Sequence, residues 1–219
     1  MKNILRGMLA VLLLLALAGC GSDGDSPPPQ FITQIISDPL LDGDIAREPQ
    51  TGAVTVAQGN TESVFAGVAP ATGVEYRAFL NFPLRDAGGV PRNAAIAAAF
   101  LEIIISGIQP NPLNGTLPIR IDLVRLDPPF LVDSDFSRTL QPPLATTTII
   151  PPISQADFGQ PVSIDVTPLM IEAQHLGLAS LQLRILQDAS PVFPGRIEIN
   201  DTTGADRDLL APLLEVTYF

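Results

Sequence analysis

The chain has 219 residues, of which 46% are hydrophobic and 16% charged, with 22 Pro, 17 Gly and a net charge of −11. This hydrophobic share excludes a fully disordered, charge-rich chain, and the unperiodic Pro and Gly exclude collagen and long unbroken helices. The negative balance excludes a nucleic-acid binder, which needs a basic surface to displace condensed counterions, and disfavours a polybasic attachment to anionic lipid.

Residues 1–19 read as a signal peptide, with Lys2 and Arg6 as its positive end and Met8 to Ala18 as an uninterrupted apolar stretch. At about 1.5 Å per residue that stretch covers about half of a hydrocarbon core of about 30 Å, too little for a permanent span. Leu17, Ala18, Gly19 and Cys20 then resemble a bacterial lipobox. The resemblance implies cleavage before Cys20, diacylation of its thiol and acylation of its new amino group. Several acyl chains anchor stably where one is marginal. A small apolar residue closing an ordinary signal peptide is the alternative for Cys20. Cys20 is the only Cys, so an intramolecular disulfide and a thiolate zinc site are excluded. Loss of residues 1–19 leaves ten Arg and no Lys against 23 carboxylates, a balance of −13.

Residues 20–30 carry the lipidated Cys and a tether of Gly, Ser, Asp and Pro, extended at Pro27-Pro28-Pro29. Gly21 and Ser22, rather than Asp, follow Cys20; by resemblance to enterobacterial sorting rules this implies the outer membrane.

From residue 31 to 219 the dominant signal is period-two alternation over short stretches closed by Pro, Gly, Asn or Asp. Expected strands are Phe31 to Ser37, Ala53 to Ala57, Ser63 to Gly67, Glu75 to Phe82, Ala98 to Ile105, Pro118 to Leu126, Thr146 to Ile150 and Pro161 to Thr167. Three more run through Leu181 to Leu186, Arg196 to Ile199 and Leu214 to Tyr218. One buried face per strand is expected. A helix is expected over Pro168 to Leu176, with Thr167 as cap, Pro168 at the first position and Gly177 as terminator, and Asp133 to Arg138 as a further helical turn. Many short strands with few helices predict an all-β fold, an antiparallel β-sandwich.

Chemistry-bearing residues are few. The single His175 falls on the expected helix, no Gly-x-Ser-x-Gly elbow surrounds any Ser, and there is no P-loop or Gly-x-Gly-x-x-Gly. Carboxylates are abundant: Asp42 and Asp44, Asp133 and Asp135, and Asp201, Asp206 and Asp208 cluster on expected loops. All three clusters read as solvated acidic loops, with a structural Ca²⁺ at one of them, Asp201, Asp206 and Asp208 being its candidate ligands, as the alternative; no other cofactor is expected. Tyr218 falls on the inward parity of its strand and is expected in the core.

Five segments in order carry a family resemblance. They are Tyr76 to Leu84, Ala98 to Ile103, Ser163 to Leu169, Gly177 to Ile185 and Ala211 to Tyr218, and they resemble the successive signatures of DNRLRE-type domains. The resemblance covers about Asp44 to Phe219, and the chain departs from those domains in having no Trp. It implies a jelly-roll-like sandwich related to carbohydrate-binding modules, without catalysis. The expected function is a non-catalytic, lipid-anchored envelope protein whose domain binds or scaffolds, with polysaccharide or envelope proteins as partners. The alternatives are a polysaccharide-acting hydrolase using loop carboxylates and an accessory subunit of an envelope complex.

Overall fold

The computed structural model describes residues 28–86, 88–126, 130–188 and 193–219. Leu17, Ala18, Gly19, Cys20 and the signal peptide lie outside the described residues. The first half of the body forms β1 (Phe31–Ile36), β2 (Gly43–Arg47), β3 (Val54–Gln58), β4 (Ser63–Val68), β5 (Glu75–Pro83), β6 (Ile96–Pro110) and β7 (Ile119–Val124). Then come β8 (Ala145–Thr148), β9 (Pro161–Asp165), α1 (Thr167–His175), β10 (Ser180–Gln187), β11 (Gly195–Asn200), α2 (Arg207–Leu210) and β12 (Leu213–Tyr218). Every ladder between these strands is antiparallel, so the chain is an all-β fold with little helix.

The strands run in the order β1-β12-β6-β11-β4-β5-β10-β7-β8, with β9 on β6 and the β2–β3 hairpin on β5. β6 links the two parts of this path. Ile96 to Ile104 pair with β12 and β9, whereas Ile105 to Pro110 pair with β11, and near this changeover the β11 ladder shifts register at Glu198/Ile199, opposite Ser106. A bulge adds one residue and bends the strand, which lets one long strand serve both parts. Inward residues from both parts meet in one cluster, including Leu101 and Ile103 of β6, Leu214 and Val216 of β12, and Leu183 and Ile185 of β10. Burying each such side chain stabilises the fold by roughly 1.5–3 kcal/mol before the entropy cost of ordering it.

All eleven expected strands are present, and the expected turn at Asp133 is a 3-10 helix, Asp133–Phe136. The strand that sequence reading omitted is β2, whose Gly43-Asp44-Ile45-Ala46-Arg47 carries one large apolar residue between two charges. Thr167 does not cap α1. Its hydroxyl donates to the Ala99 carbonyl and accepts from the Ala99 N–H at 2.8 Å, fixing the helix to β6, while Leu169, Met170 and Ala173 enter the core. Gly177 follows the helix at φ 64°, as a terminating glycine does. Tyr218 is half-buried against the core and stacks on Phe31, ring centroids 5.8 Å apart.

The expectation of one buried face per strand fails at β5, β7 and β10. Phe79, Asn81, Asp122 and Arg184, on the outward parity, are also buried. The cause is an extra layer: a second apolar cluster of Ile45, Phe79, Leu131 and Phe136, which the β2–β3 hairpin and the 3-10 segment lay over these strands. Beneath it Arg184 is fully enclosed, pairing with Asp122 at 2.8 Å and donating to the Asp135 carbonyl at 2.9 Å.

Candidate functional site

A groove of about 540 Å³ opens between the β2–β3 hairpin and β4, its lining including Asp44, Glu48, Thr55, Thr61, Glu62, Ser63, Phe65 and Tyr76. The ladders explain the assembly. Ala46 pairs with Tyr76 and Asp44 with Ala78 between β2 and β5, so the alternation that turns Ile45 toward the second cluster turns Asp44 and Ala46 to the groove. Gly67 of β4 pairs with both Tyr76 and Arg196. With no side chain on Gly67, the Arg196 guanidinium reaches across to lie 4.6 Å from the Phe65 centroid and 5.2 Å from that of Tyr76. Only glycine serves at position 67: φ is +109°, and a Cβ would meet the Gly195 carbonyl at 2.2 Å. The two rings touch at 5.7 Å, tilted by 57°, and the cation over both holds them in place.

Carboxylates surround the rings. Asp44 is buried and accepts the Phe65 N–H at 3.2 Å. Burial pushes its pKa up to about 6, against the opposing pull of that hydrogen bond and of Arg196. Glu62 is exposed and lowered, because the hydroxyls of Thr203 and Thr202 each donate to it at 2.9 Å. The groove thus brings two aromatic rings, three carboxylates and four hydroxyls, that of Tyr76 included, into one concavity. Such a surface matches a polyhydroxylated ring: its C–H faces pack on aromatic carbon, and its hydroxyls donate to carboxylate oxygens.

The other expected site residues are dispersed. Asp42, Asp44, Asp135 and Asp201 are buried, which overturns their reading as solvated loop carboxylates. Asp135 accepts the Val132 N–H at 2.9 Å, and Asp201 a bond from Arg207 at 3.1 Å and from Thr61 at 3.2 Å, whereas Asp42 accepts the Asn81 N–H at 2.7 Å on Oδ1 while its Oδ2 is buried without a hydrogen-bond partner among the described residues. Asp206 and Asp208 are exposed at α2, and among the described residues no three His, Cys, Asp or Glu are grouped to hold a metal ion. The neighbour of Asp201 is instead Asp42. Burial, then the charge of Asp201, pushes Asp42 up to about 8. Burial raises Asp201 as well, with Arg207 opposing it. His175 stands exposed on α1, 3.9 Å from Glu172.

Sequence reading missed the groove because its rings and acids come from three strands, β2, β4 and β5, and the residues flanking them. Tyr76 lay within a quoted segment, yet nothing local tied it to Phe65. No protein-family model matches the chain, and no curated protein matches it.

Proposed function

We propose that this chain is a lipid-anchored, non-catalytic binding module of the cell envelope, held at Cys20 on the outer membrane, whose β2–β4 groove receives a saccharide. The strand order and shared core support a jelly-roll-like sandwich, and the five ordered segments support kinship to DNRLRE-type domains. One observation carries the binding reading: Phe65 and Tyr76, fixed by Arg196, share a groove with Asp44, Glu48 and Glu62. The missing Trp platform is thereby replaced by a smaller aromatic pair.

Two measurements test this reading. Mass spectrometry of the protein from membranes is expected to find residues 1–19 removed and Cys20 acylated; an uncut, unacylated chain in the cytosol contradicts the anchor. Affinity electrophoresis against neutral polysaccharides is expected to retard the wild type and not Tyr76→Ala; equal mobility with every polymer contradicts the groove.

The hydrolase alternative draws on the separated proton affinities of Asp44, raised, and Glu62, lowered, a separation that a general acid and its partner carboxylate require. Reducing ends released by the wild type and not by Asp44→Asn would establish it, and retention without turnover supports the binding module.

A further inference from the structure

Five of the ten arginines that follow the signal peptide gather beside β5, β7 and β10. They share too few anions. Glu75 serves both Arg47 at 2.8 Å and Arg77 at 2.6 Å. Asp122 serves both Arg138 at 2.9 Å and Arg184 at 2.8 Å. Arg120 pairs with Asp188 at 2.5 Å. Asp135 lends Arg184 only its carbonyl, its carboxylate being turned to the Val132 N–H. Phe136 lies between the Arg47 and Arg77 guanidiniums, 4.4 and 4.0 Å from its centroid, which keeps them apart but adds no charge. Of the five, Arg77, Arg120 and Arg138 stand around one cleft with Glu75 and Asp188, which leaves one positive charge over there in a chain that is strongly negative elsewhere.

This cleft, of about 330 Å³, has a lining that includes Glu75, Arg77, Arg120, Arg138, Gln187 and Asp188. Gln187 is 8% exposed; its Nε2 donates to the Phe193 carbonyl at 2.9 Å, and its Oε1 is buried with no hydrogen-bond partner among the described residues. An unsatisfied buried acceptor is costly, and a ligand that brings a proton relieves it.

We propose that this cleft is a binding site for a phosphate monoester. At neutral pH such a group is a mixture of dianion and monoanion with a second pKa of about 6; the monoanion matches the single surplus charge and keeps a P–O–H that can donate to Gln187 Oε1. A simple carboxylate brings one charge and, when ionised, no proton. Planar guanidiniums bind phosphate oxygens in pairs. The cleft lies across β5 from the saccharide groove, and the proposal stands whether or not that groove binds sugar. The same chemistry is offered by inorganic phosphate, a phosphorylated sugar or a lipid headgroup.

The full chain in detergent, titrated by calorimetry with inorganic phosphate, glucose 1-phosphate and dihexanoyl phosphatidic acid, tests it against sodium chloride at equal ionic strength. Binding of at least one of the three is expected, and the one bound most tightly identifies the source. Arg120→Gln, which removes a half-exposed guanidinium with a single partner, is expected to weaken that binding about tenfold or more, while Arg92→Gln, remote from the cleft, leaves it unchanged. The thermal midpoint of Arg120→Gln without ligand reports whether it remains folded. A chain that binds none of the three above the chloride control overturns the proposal, as does a folded Arg120→Gln that binds as tightly as the wild type.

Discussion

Adjacent residues of β5 serve opposite chemistries. Tyr76 faces a groove of rings and carboxylates, whereas Glu75 and Arg77 line a cleft of arginines. The period-two pleat accomplishes this separation without any change of element. The two regions also differ in how their charges are satisfied. In the groove the acids stand singly, Asp44 raised by burial and Glu62 lowered by hydroxyls. Across the strand, arginines and carboxylates form a shared network with a fully enclosed pair at its base. In the first arrangement each acid is held by neutral N–H or O–H donors; the second holds the outer layer of the fold in place.

That contrast is broken most severely at Asp122. Asp122→Ala leaves Arg184 buried without its anion, and about 3–5 kcal/mol of stability is expected to be lost in urea denaturation. Replacing both residues by apolar ones of similar volume is expected to recover much of that loss, because no uncompensated charge then remains. Next in size is Tyr76→Ala. It is expected to abolish retention on neutral polysaccharide while lowering stability only modestly, since Tyr76 is half-buried.

A smaller effect follows from the raised acids. Asp42 and Asp44, at about 8 and about 6, hold protons in the folded chain that an unfolded Asp, near 3.9, has already released. Their contribution to stability is therefore fully present below about pH 4 and is lost as pH rises through about 6 and then about 8. Thermal midpoints measured from pH 4 to 8.5 are expected to show this decline superimposed on the remaining groups, and Asp42→Asn to remove its upper part. An unaltered profile in Asp42→Asn would place the titration elsewhere. The smallest effect is expected at exposed His175, where His175→Ala shifts stability by less than about 0.5 kcal/mol.

The fold was legible because inward side chains such as Leu181, Leu183 and Ile185 alternate cleanly, and because Pro168 and Gly177 punctuate α1. β2 was not, since its apolar content is Ile45 and Ala46 and its pairing with β5 is non-local. Asp42 and Asp201 looked like solvated loop acids for the same reason: the groups that bond to them, Asn81, Thr61 and Arg207, arrive from distant segments or across a turn. Arg184 showed the limit of pattern reading most clearly. Its parity is outward, and only the covering hairpin and 3-10 segment make that side an interior.

Amide chemical shifts of the isotopically labelled full chain, followed as neutral cello-, xylo-, manno- and chito-oligosaccharides are added, test the central claim most directly. At least one of them is expected to move Ala46, Thr55, Phe65 and Tyr76 while leaving Arg120 and Leu186 in place. Shifts confined to the arginine cleft, or none with any of the four, would contradict it.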